Sequence, residues 1–152
     1  MKIEYLPADE TDAASILEQS RALIERYEDF SSIDMDAVFA WMERKTEKCI
    51  AEYSRILCDG ETAGWIRAHD DGEKLELDDL FILPQFRNRG IGTATLRKYL
   101  RESGKPIYFY VFSQNAGALR LYERLGFRVR ETVSDTRVIM EQEPCQKTTK
   151  QL

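Results

Sequence analysis

A glycine-containing turn restricts the folds open to this chain more than any other feature of its sequence. The stretch QFRNRGIGTATL, residues 85–96, follows a strand-like run and precedes a segment with helical spacing. Glycine permits positive φ angles and close approach of the backbone, so Gly90 and Gly92 allow several N–H groups to turn toward one anion. The start of a helix adds unpaired donors and the positive end of its dipole. The sequence therefore predicts a strand, an anion-binding turn and a helix in succession.

The remaining segments predict a mixed α/β fold. Apolar runs typical of strands occupy 2–6, the hairpin segment 49–69, 74–83, 106–112, 127–131 and 136–141. Helical spacing covers 9–27, 34–45, 91–101 and 115–127, and Asn115 and Gly126 are suitable start and stop residues for the last helix. The predicted order is β-α-α-β-β-β-α-β-α-β-β. Residues 106–112 are apolar throughout, which predicts a strand buried on both faces.

The length and composition favour one domain. The chain has 152 residues, of which 43% are hydrophobic and 32% are charged, as in ordinary globular proteins. We expect a single domain over residues 1–142, followed by a polar C-terminal tail over 143–152. The opening residues contain no apolar leader, and no uncharged run reaches the roughly 20 residues of a membrane span. The expected location is therefore the cytoplasm, without membrane binding.

Cysteine and histidine offer little chemistry. The three cysteines (Cys49, Cys58 and Cys145) are scattered, and the single histidine, His69, has no second ligand nearby in sequence. Disulfides and metal sites both need closer or paired spacing. We therefore expect reduced structural thiols and no metal.

The charge distribution is uneven. The net charge is −5, yet residues 84–130 contain ten arginines and lysines against two glutamates. A basic central segment suggests an anionic ligand, although basic side chains that merely solvate two helices would give the same pattern. Nucleic-acid binding is not expected; it would predict steeply salt-dependent affinity that survives loss of the glycines.

Two common phosphate-binding loops do not match the glycine turn. A P-loop requires a lysine followed by serine or threonine after its last glycine, and these are missing here. A dinucleotide-binding fingerprint requires a third glycine, where this chain has Thr95, and it follows the first strand of its unit rather than the fourth.

The turn does resemble the pyrophosphate loop of the GNAT N-acetyltransferases. Residues 87–92 fit the family's [Q/R]-x-x-G-x-[G/A] pattern, and the preceding DDLFILPQFR is similar to its strand and V-x-P-x-x-R approach, with Ile82 in place of valine. The later NAGALRLYERLGF resembles the family's N-x-x-A-x-x-L-Y-x-x-x-G-F motif at Asn115, Ala118, Leu121, Tyr122, Gly126 and Phe127. These motifs cover about residues 75–130.

The resemblance implies an α/β (α+β) fold, the GNAT acyl-CoA N-acyltransferase fold, with a mixed, mostly antiparallel sheet of about seven strands and helices on both faces. It also implies acetyl-CoA as cosubstrate. The pyrophosphate would lie on the glycine turn, and the pantetheine arm along the strand end, where a backbone N–H near Ile82 is the expected oxyanion donor. The implied cofactor-binding residues are Phe81, Ile82, Leu83, Arg87, Asn88, Arg89, Gly90, Ile91, Gly92, Thr93, Asn115 and Ala118.

The implied reaction is direct attack of an amine on acetyl-CoA. It needs a general acid for the thiolate, for which Tyr122 holds the family's position, and a carboxylate base. Regular strand alternation puts Glu76 and Asp78 on one face and Asp79 on the other, but a bulge would reset this pattern. The resemblance favours Asp78, then Asp79, then Glu76.

The acceptor is the least determined part. In this fold the connection between the first two helices covers the acceptor site, and here it contains Glu28, Asp29, Asp34 and Asp36. Such acidity suits a small cationic amine, but an amino acid or a peptide N-terminus fits nearly as well. An alternative is a non-catalytic CoA-binding regulatory module on the same fold. A homodimer is common among relatives, and nothing in this sequence demands one.

Overall fold

A computed structural model describes residues 1–28, 31 and 34–143, and its elements follow the predicted order. The strands are β1 (Ile3–Pro7), β2 (Tyr53–Cys58), β3 (Glu61–Asp70), β4 (Leu75–Ile82), β5 (Ile107–Phe112), β6 (Arg128–Thr132) and β7 (Arg137–Gln142). The helices are α1 (Ala13–Tyr27), α2 (Met35–Lys48), α3 (Ile91–Glu102) and α4 (Ala116–Arg124). Asp29, Cys145 and the predicted tail from residue 144 lie outside the described residues.

The strands form one seven-stranded sheet in the order β1-β2-β3-β4-β5-β7-β6. The pairs β1–β2, β2–β3, β5–β7 and β6–β7 are antiparallel, and β4–β5 is parallel. The β2–β3 hairpin turns at Asp59 and Gly60, which have φ angles of 51° and 85°. Two successive positive φ angles are what a two-residue hairpin loop requires, so the Asp-Gly pair sets this register.

Polar side chains cap the starts of α2 and α4 and of the 3-10 turn Glu10–Asp12 that leads into α1. A capping box between Asp9 and Asp12 precedes α1, and the side chain of Asn115 accepts the Ala118 N–H to start α4, as predicted. Asp34 starts α2 by accepting the N–H groups of Asp36 and Ala37. The carboxylate of Asp34, expected near the acceptor, is therefore occupied at a helix start. No helix in the described part of the chain has the length and hydropathy to cross a membrane.

The chain divides into two compact units. The first unit comprises Met1–Ala68 and Asp78–Ile91. Its α1 and α2 pack on each other, and its core contains Ala8, Ile16, Tyr53, Trp65 and Phe81, with Leu23, Cys49, Ile50 and Leu83 packed against them. Because Tyr53 lies on β2 and Phe81 on β4, this core holds the second half of β4 in place.

The second unit comprises His69–Leu77 and the described residues from Gly92 onward. Its core includes the rings of Phe109 and Phe127, whose centroids are 4.5 Å apart. The prediction that residues 106–112 are buried on both faces is wrong, because Tyr110 is 44% exposed. The outward positions of β5 are filled by Tyr108 and Tyr110, and a tyrosine can leave its hydroxyl end in water while its ring covers the sheet.

Candidate active site

The glycine turn is anchored at both ends by buried side chains. After β4, a short 3-10 turn over Pro84–Phe86 places the buried Phe86 before the turn, and Ile91, the first residue of α3, is also buried. Residues 87–90 between them are exposed. Asn88 and Gly90 have φ angles of 62° and 82°, which turns successive peptide groups in the way that an anion-binding concavity needs.

The space around the turn suits a phosphate group. A Cβ built on Gly90 would meet nothing within 4 Å, so the backbone there is open to approach. The guanidinium of Arg89 lies 5.3 Å from the centre of the Phe86 ring, and Arg87 is exposed. Gly92 and Thr93 follow in the first turn of α3, where N–H groups have no intrahelical acceptor. These amides and arginines fit the pyrophosphate predicted from the sequence.

The end of β4 is tied to the turn and to β3. The Nε of Arg87 donates to the Ile82 carbonyl at 2.9 Å, and the Leu83 N–H donates to the Ala63 carbonyl at 2.7 Å. Gly64 of β3 lies so close to this strand that a Cβ built on it would be 1.9 Å from the Phe81 carbonyl oxygen. Sequence reasoning missed Gly64, although a glycine inside a strand is a known sign of close backbone approach.

Asp78 and Asp79 occupy an irregular point of β4. Asp79 has a φ of 50°, and its N–H donates to its neighbour's Oδ1 at 2.9 Å. A left-handed residue inside a strand breaks the alternation of side chains, so the irregularity foreseen as a bulge is present here. Both carboxylates are half-buried, and the hydroxyl of Tyr53 donates to Asp79.

Asp78 is already bound by two cations. Its Oδ2 lies 3.1 Å from Lys45 Nζ and 3.3 Å from Arg67 Nη1. Arg67, whose side chain is 10% exposed, also binds Glu52 at 2.9 Å. We call this set the β4 charge cluster: Lys45, Glu52, Tyr53, Arg67, Asp78 and Asp79. The sequence analysis found only its two aspartates, because the other members come from α2, β2, β3 and the segment before β2.

The surroundings of Asp79 change its pKa in both directions. Burial and the neighbouring Asp78 carboxylate raise the pKa of Asp79 to about 6, while Lys45, the Tyr53 hydroxyl and Arg67 oppose the rise. Burial would lower the pKa of Lys45, but the two aspartates outweigh it and raise that pKa. Asp79 is thus a carboxylate that can exchange a proton near neutral pH, beside a lysine that stays charged.

Glu76, the third carboxylate candidate, belongs to the second unit. It is half-buried and lies opposite Tyr108 in the parallel β4–β5 pairing. Burial, followed by the charge of Glu76, raises the pKa of Tyr108. Of the three carboxylate candidates, Asp78 and Asp79 are the two that belong to the β4 charge cluster.

Tyr122 lies among aromatic rings in the second unit. Its ring centroid is 4.4 Å from that of Phe109 and 6.4 Å from that of Phe127. Burial raises the pKa of Tyr122 to about 12. The phenol is therefore protonated at neutral pH, as a general acid must be.

Asn115 and Ala118 share the first turn of α4. The Asn115 Oδ1 accepts the Ala118 N–H at 3.3 Å, so the capping role assigned to this asparagine is present. The cap uses only the side-chain oxygen, while the Nδ2 amide group carries two donors of its own.

A seven-stranded mixed sheet in which an exposed glycine turn joins β4 to α3 defines an α/β protein with a segment suited to an anion. Residues 16–127 match the sequence profile of the Acetyltransferase (GNAT) family. The chain belongs to this family, as its motifs predicted.

Individual relatives agree with this assignment. The chain is 38% identical over 82 residues to an uncharacterized N-acetyltransferase from Methanocaldococcus jannaschii, a match that covers 51% of this chain and 35% of that protein. It thus spans about a third of that relative's length.

Solved structures share the fold. The PaiA N-acetyltransferase of Thermoplasma acidophilum, solved with coenzyme A, superposes with a TM-score of 0.70 at 21% identity, covering 94% of this chain and 99% of that one. The YncA putative acetyltransferase of Salmonella typhimurium, solved with acetyl-CoA, gives 0.63 at 21% identity, covering 97% and 96%. The predicted fold class is confirmed.

Proposed function

We propose that this protein is an acetyl-CoA-dependent N-acetyltransferase that moves an acetyl group to an amine. The observation that carries the proposal is the exposed turn in which Asn88 and Gly90 adopt positive φ directly before α3. The family match over residues 16–127 includes parts of both compact units, which supports one N-acetyltransferase domain over residues 1–142.

The residues of the turn would hold the cosubstrate. The amides from Arg87 to Thr93 would bind its pyrophosphate, and the backbone of Phe81–Leu83, with Asn115 and Ala118, its pantetheine arm. Coenzyme A and acetyl-CoA in the two solved relatives support this ligand class. When bound, acetyl-CoA supplies the thioester whose acyl group is transferred.

Asp79 is the best-supported base of the three carboxylates. Asp78 Oδ2 is already held by Lys45 and Arg67, so a proton arriving there would displace ion pairs. Asp79 accepts one phenolic hydrogen bond, and its raised pKa brings proton uptake close to neutral pH. An alkyl ammonium has a pKa of about 10.4, so a base tuned in this direction is useful for deprotonating the acceptor.

Tyr122 would be the general acid. It keeps its proton at neutral pH because burial raises its pKa, and it would release that proton to the departing thiolate. The N–H of Ile82 would stabilise the oxyanion. The Arg87 side chain donates to the Ile82 carbonyl, so it holds the next peptide group along the strand end.

The acceptor class is a small cationic amine, an amino acid or a peptide N-terminus. Glu28 follows the last residue of α1 and Asp36 lies in the first turn of α2, and these two described carboxylates support a cationic acceptor. A panel of polyamines, amino acids and short peptides, scored by release of CoA thiol, ranks these classes.

Alanine substitutions at two glycines can distinguish an effect on cosubstrate binding from an effect on folding. Gly90 and Gly60 have φ angles of 82° and 85°, and a Cβ on either meets nothing within 4 Å. Alanine at either site should cost about 1 kcal/mol of stability from left-handed strain. Only Gly90→Ala should weaken CoA binding in calorimetry, and equal weakening by Gly60→Ala would reject the assigned turn. If CoA raises the melting temperature but no amine releases thiol, the chain is a CoA-binding module.

A further inference from the structure

Tyr53 is a buried phenol whose hydroxyl donates to the candidate base. The residue is 1% exposed and belongs to the core of the first unit, together with Ile16, Trp65 and Phe81. Its O–H donates to the Asp79 carboxylate. Buried hydroxyls require a partner, and here the partner is an ionisable group rather than a backbone carbonyl. The core therefore holds the Tyr53 hydroxyl in place. If the Asp79 carboxylate moved away, this buried hydroxyl would lose its acceptor.

Ionisable groups from four elements act on Asp79. Asp78 precedes it on β4, Lys45 comes from α2, Arg67 from β3 and Tyr53 from β2. Lys45 and Arg67 meet on the same oxygen, Asp78 Oδ2. These contacts offset part of the Asp78 charge, which still raises the pKa of Asp79.

Lys45 is the less constrained of the two cations. Arg67 is 10% exposed and is divided between Glu52 and Asp78, whereas Lys45 is 28% exposed and its Nζ lies 5.4 Å from the centre of the Trp41 ring. Removing Lys45 should therefore disturb the fold less than removing Arg67 would. Lys45 is therefore the better position at which to test how a neighbouring cation offsets the Asp78 charge.

We propose that Tyr53 and Lys45 are positioning residues for the base. Tyr53 holds the Asp79 carboxylate by its hydroxyl, and Lys45 neutralises Asp78 so that Asp79 can ionise and accept a proton in the neutral range. Their part in acetyl transfer rests on the proposed function, whereas their hold on Asp79 does not.

The proposal predicts the direction in which three substitutions shift the pKa of Asp79, and no shift for a fourth. Tyr53→Phe removes a donor to the ionised form, and Lys45→Met leaves the Asp78 charge unopposed, so both should make Asp79 retain its proton to higher pH. Asp78→Asn removes the like charge and should have the reverse effect. Lys45→Arg keeps the positive charge and is the matched control.

Carbon-13 NMR titration of aspartate carboxyls in the ligand-free protein tests this without any acceptor. Asp79→Asn assigns the resonance. Tyr53→Phe and Lys45→Met should move the Asp79 midpoint up by about one pH unit, Asp78→Asn should move it down by a similar amount, and Lys45→Arg should leave it near the wild-type value. Near-UV circular dichroism checks that each variant is folded.

The outcomes separate the two proposals. If Tyr53→Phe is folded and its midpoint does not rise, or if Lys45→Met and Asp78→Asn shift it in the same direction, the positioning role is overturned. If Tyr53→Phe does not fold, the midpoints of Lys45→Met, Lys45→Arg and Asp78→Asn still test the proposal. In the active enzyme the acid limb of kcat/KM should follow the NMR midpoints. Expected midpoints with no acetyl transfer by the wild type would reject the proposed function alone.

Discussion

Two aspartates in the first unit have opposite surroundings. Asp12, which is 6% exposed, accepts Arg55 Nε at 3.0 Å and Nη2 at 2.9 Å, the Trp65 indole at 3.1 Å and the Asp9 N–H at 3.0 Å. Asp79 accepts one phenol and follows another carboxylate in sequence. Burial acts to raise the pKa of both, but donors to Asp12 outweigh it and lower that pKa. The pKa of Asp79 rises to about 6.

This difference separates a structural anion from a proton acceptor. A carboxylate with four donors stabilises the fold only while it is charged, and a proton there would break several bonds. A buried carboxylate with one donor and a like-charged neighbour is less stable ionised than protonated at low pH, because taking up a proton removes the repulsion between the two carboxylates. Burial alone therefore does not identify a base; the number and sign of its partners do.

The largest expected effect belongs to Asp12. Asp12→Asn should lower the free energy of unfolding by about 3 kcal/mol at pH 7, because it leaves the Arg55 guanidinium only the more distant Asp9 carboxylate, at 3.9 Å. Urea denaturation measures this change. The fraction that remains folded should keep its CoA affinity, since Asp12 is assigned no contact with ligand. A loss below about 0.5 kcal/mol would remove the distinction drawn between the two aspartates.

Asp79→Asn should affect turnover instead. We expect kcat/KM at pH 7 to fall about 100-fold, with no loss of stability, because a general base contributes at least this much. The deficit should shrink toward pH 10, where the acceptor amine is increasingly neutral without help. Initial rates of thiol release across pH measure both effects. A deficit that is constant with pH would assign Asp79 to positioning and return Asp78 to consideration.

The pH dependence of stability should differ in sign between the two residues. A raised carboxyl pKa means that the folded state holds the proton more tightly, so this contribution is complete below pH 4 and is lost as pH rises through about 6. The lowered pKa of Asp12 gives stability above pH 4 that is lost as pH falls. Relative to Asp79→Asn, the wild type should lose on the order of 2 kcal/mol between pH 4 and 7. Denaturation of both proteins at matched pH tests this, and parallel curves would contradict it.

Much of the fold followed from local sequence patterns. The Asp-Gly pair at 59–60 predicted a hairpin, and Asn115 predicted a helix start, because turns and caps depend on a few adjacent residues. The strand 106–112 was misjudged because its tyrosines count as apolar in a run although their outward face tolerates water. Periodicity cannot distinguish these two environments.

The candidate site was predictable only where it is contiguous. The turn at 87–92 could be read directly, and so could the motif that contains Tyr122. The partners of Asp79 could not, since Tyr53 is 26 residues away and Lys45 is 33 residues from Asp78. An aspartate in a strand segment also does not predict a left-handed φ. Asp79 adopts this φ because the surrounding strands hold it there.

The smallest expected effect tests whether geometry or charge secures Asp12. Arg55→Lys keeps the positive charge but replaces a two-point contact with one ammonium, and the Arg55 side chain is 25% exposed, so water can fill part of the gap. We expect a loss of about 1 kcal/mol in urea denaturation at pH 7. The acid side of the stability profile should also move to higher pH, because a weaker partner lets the Asp12 pKa rise. A loss as large as that of Asp12→Asn would mean that the fork of the guanidinium is essential. No loss would mean that the Trp65 indole and the Asp9 N–H suffice, and the contrast with Asp79 would then rest on hydrogen bonds rather than on an ion pair.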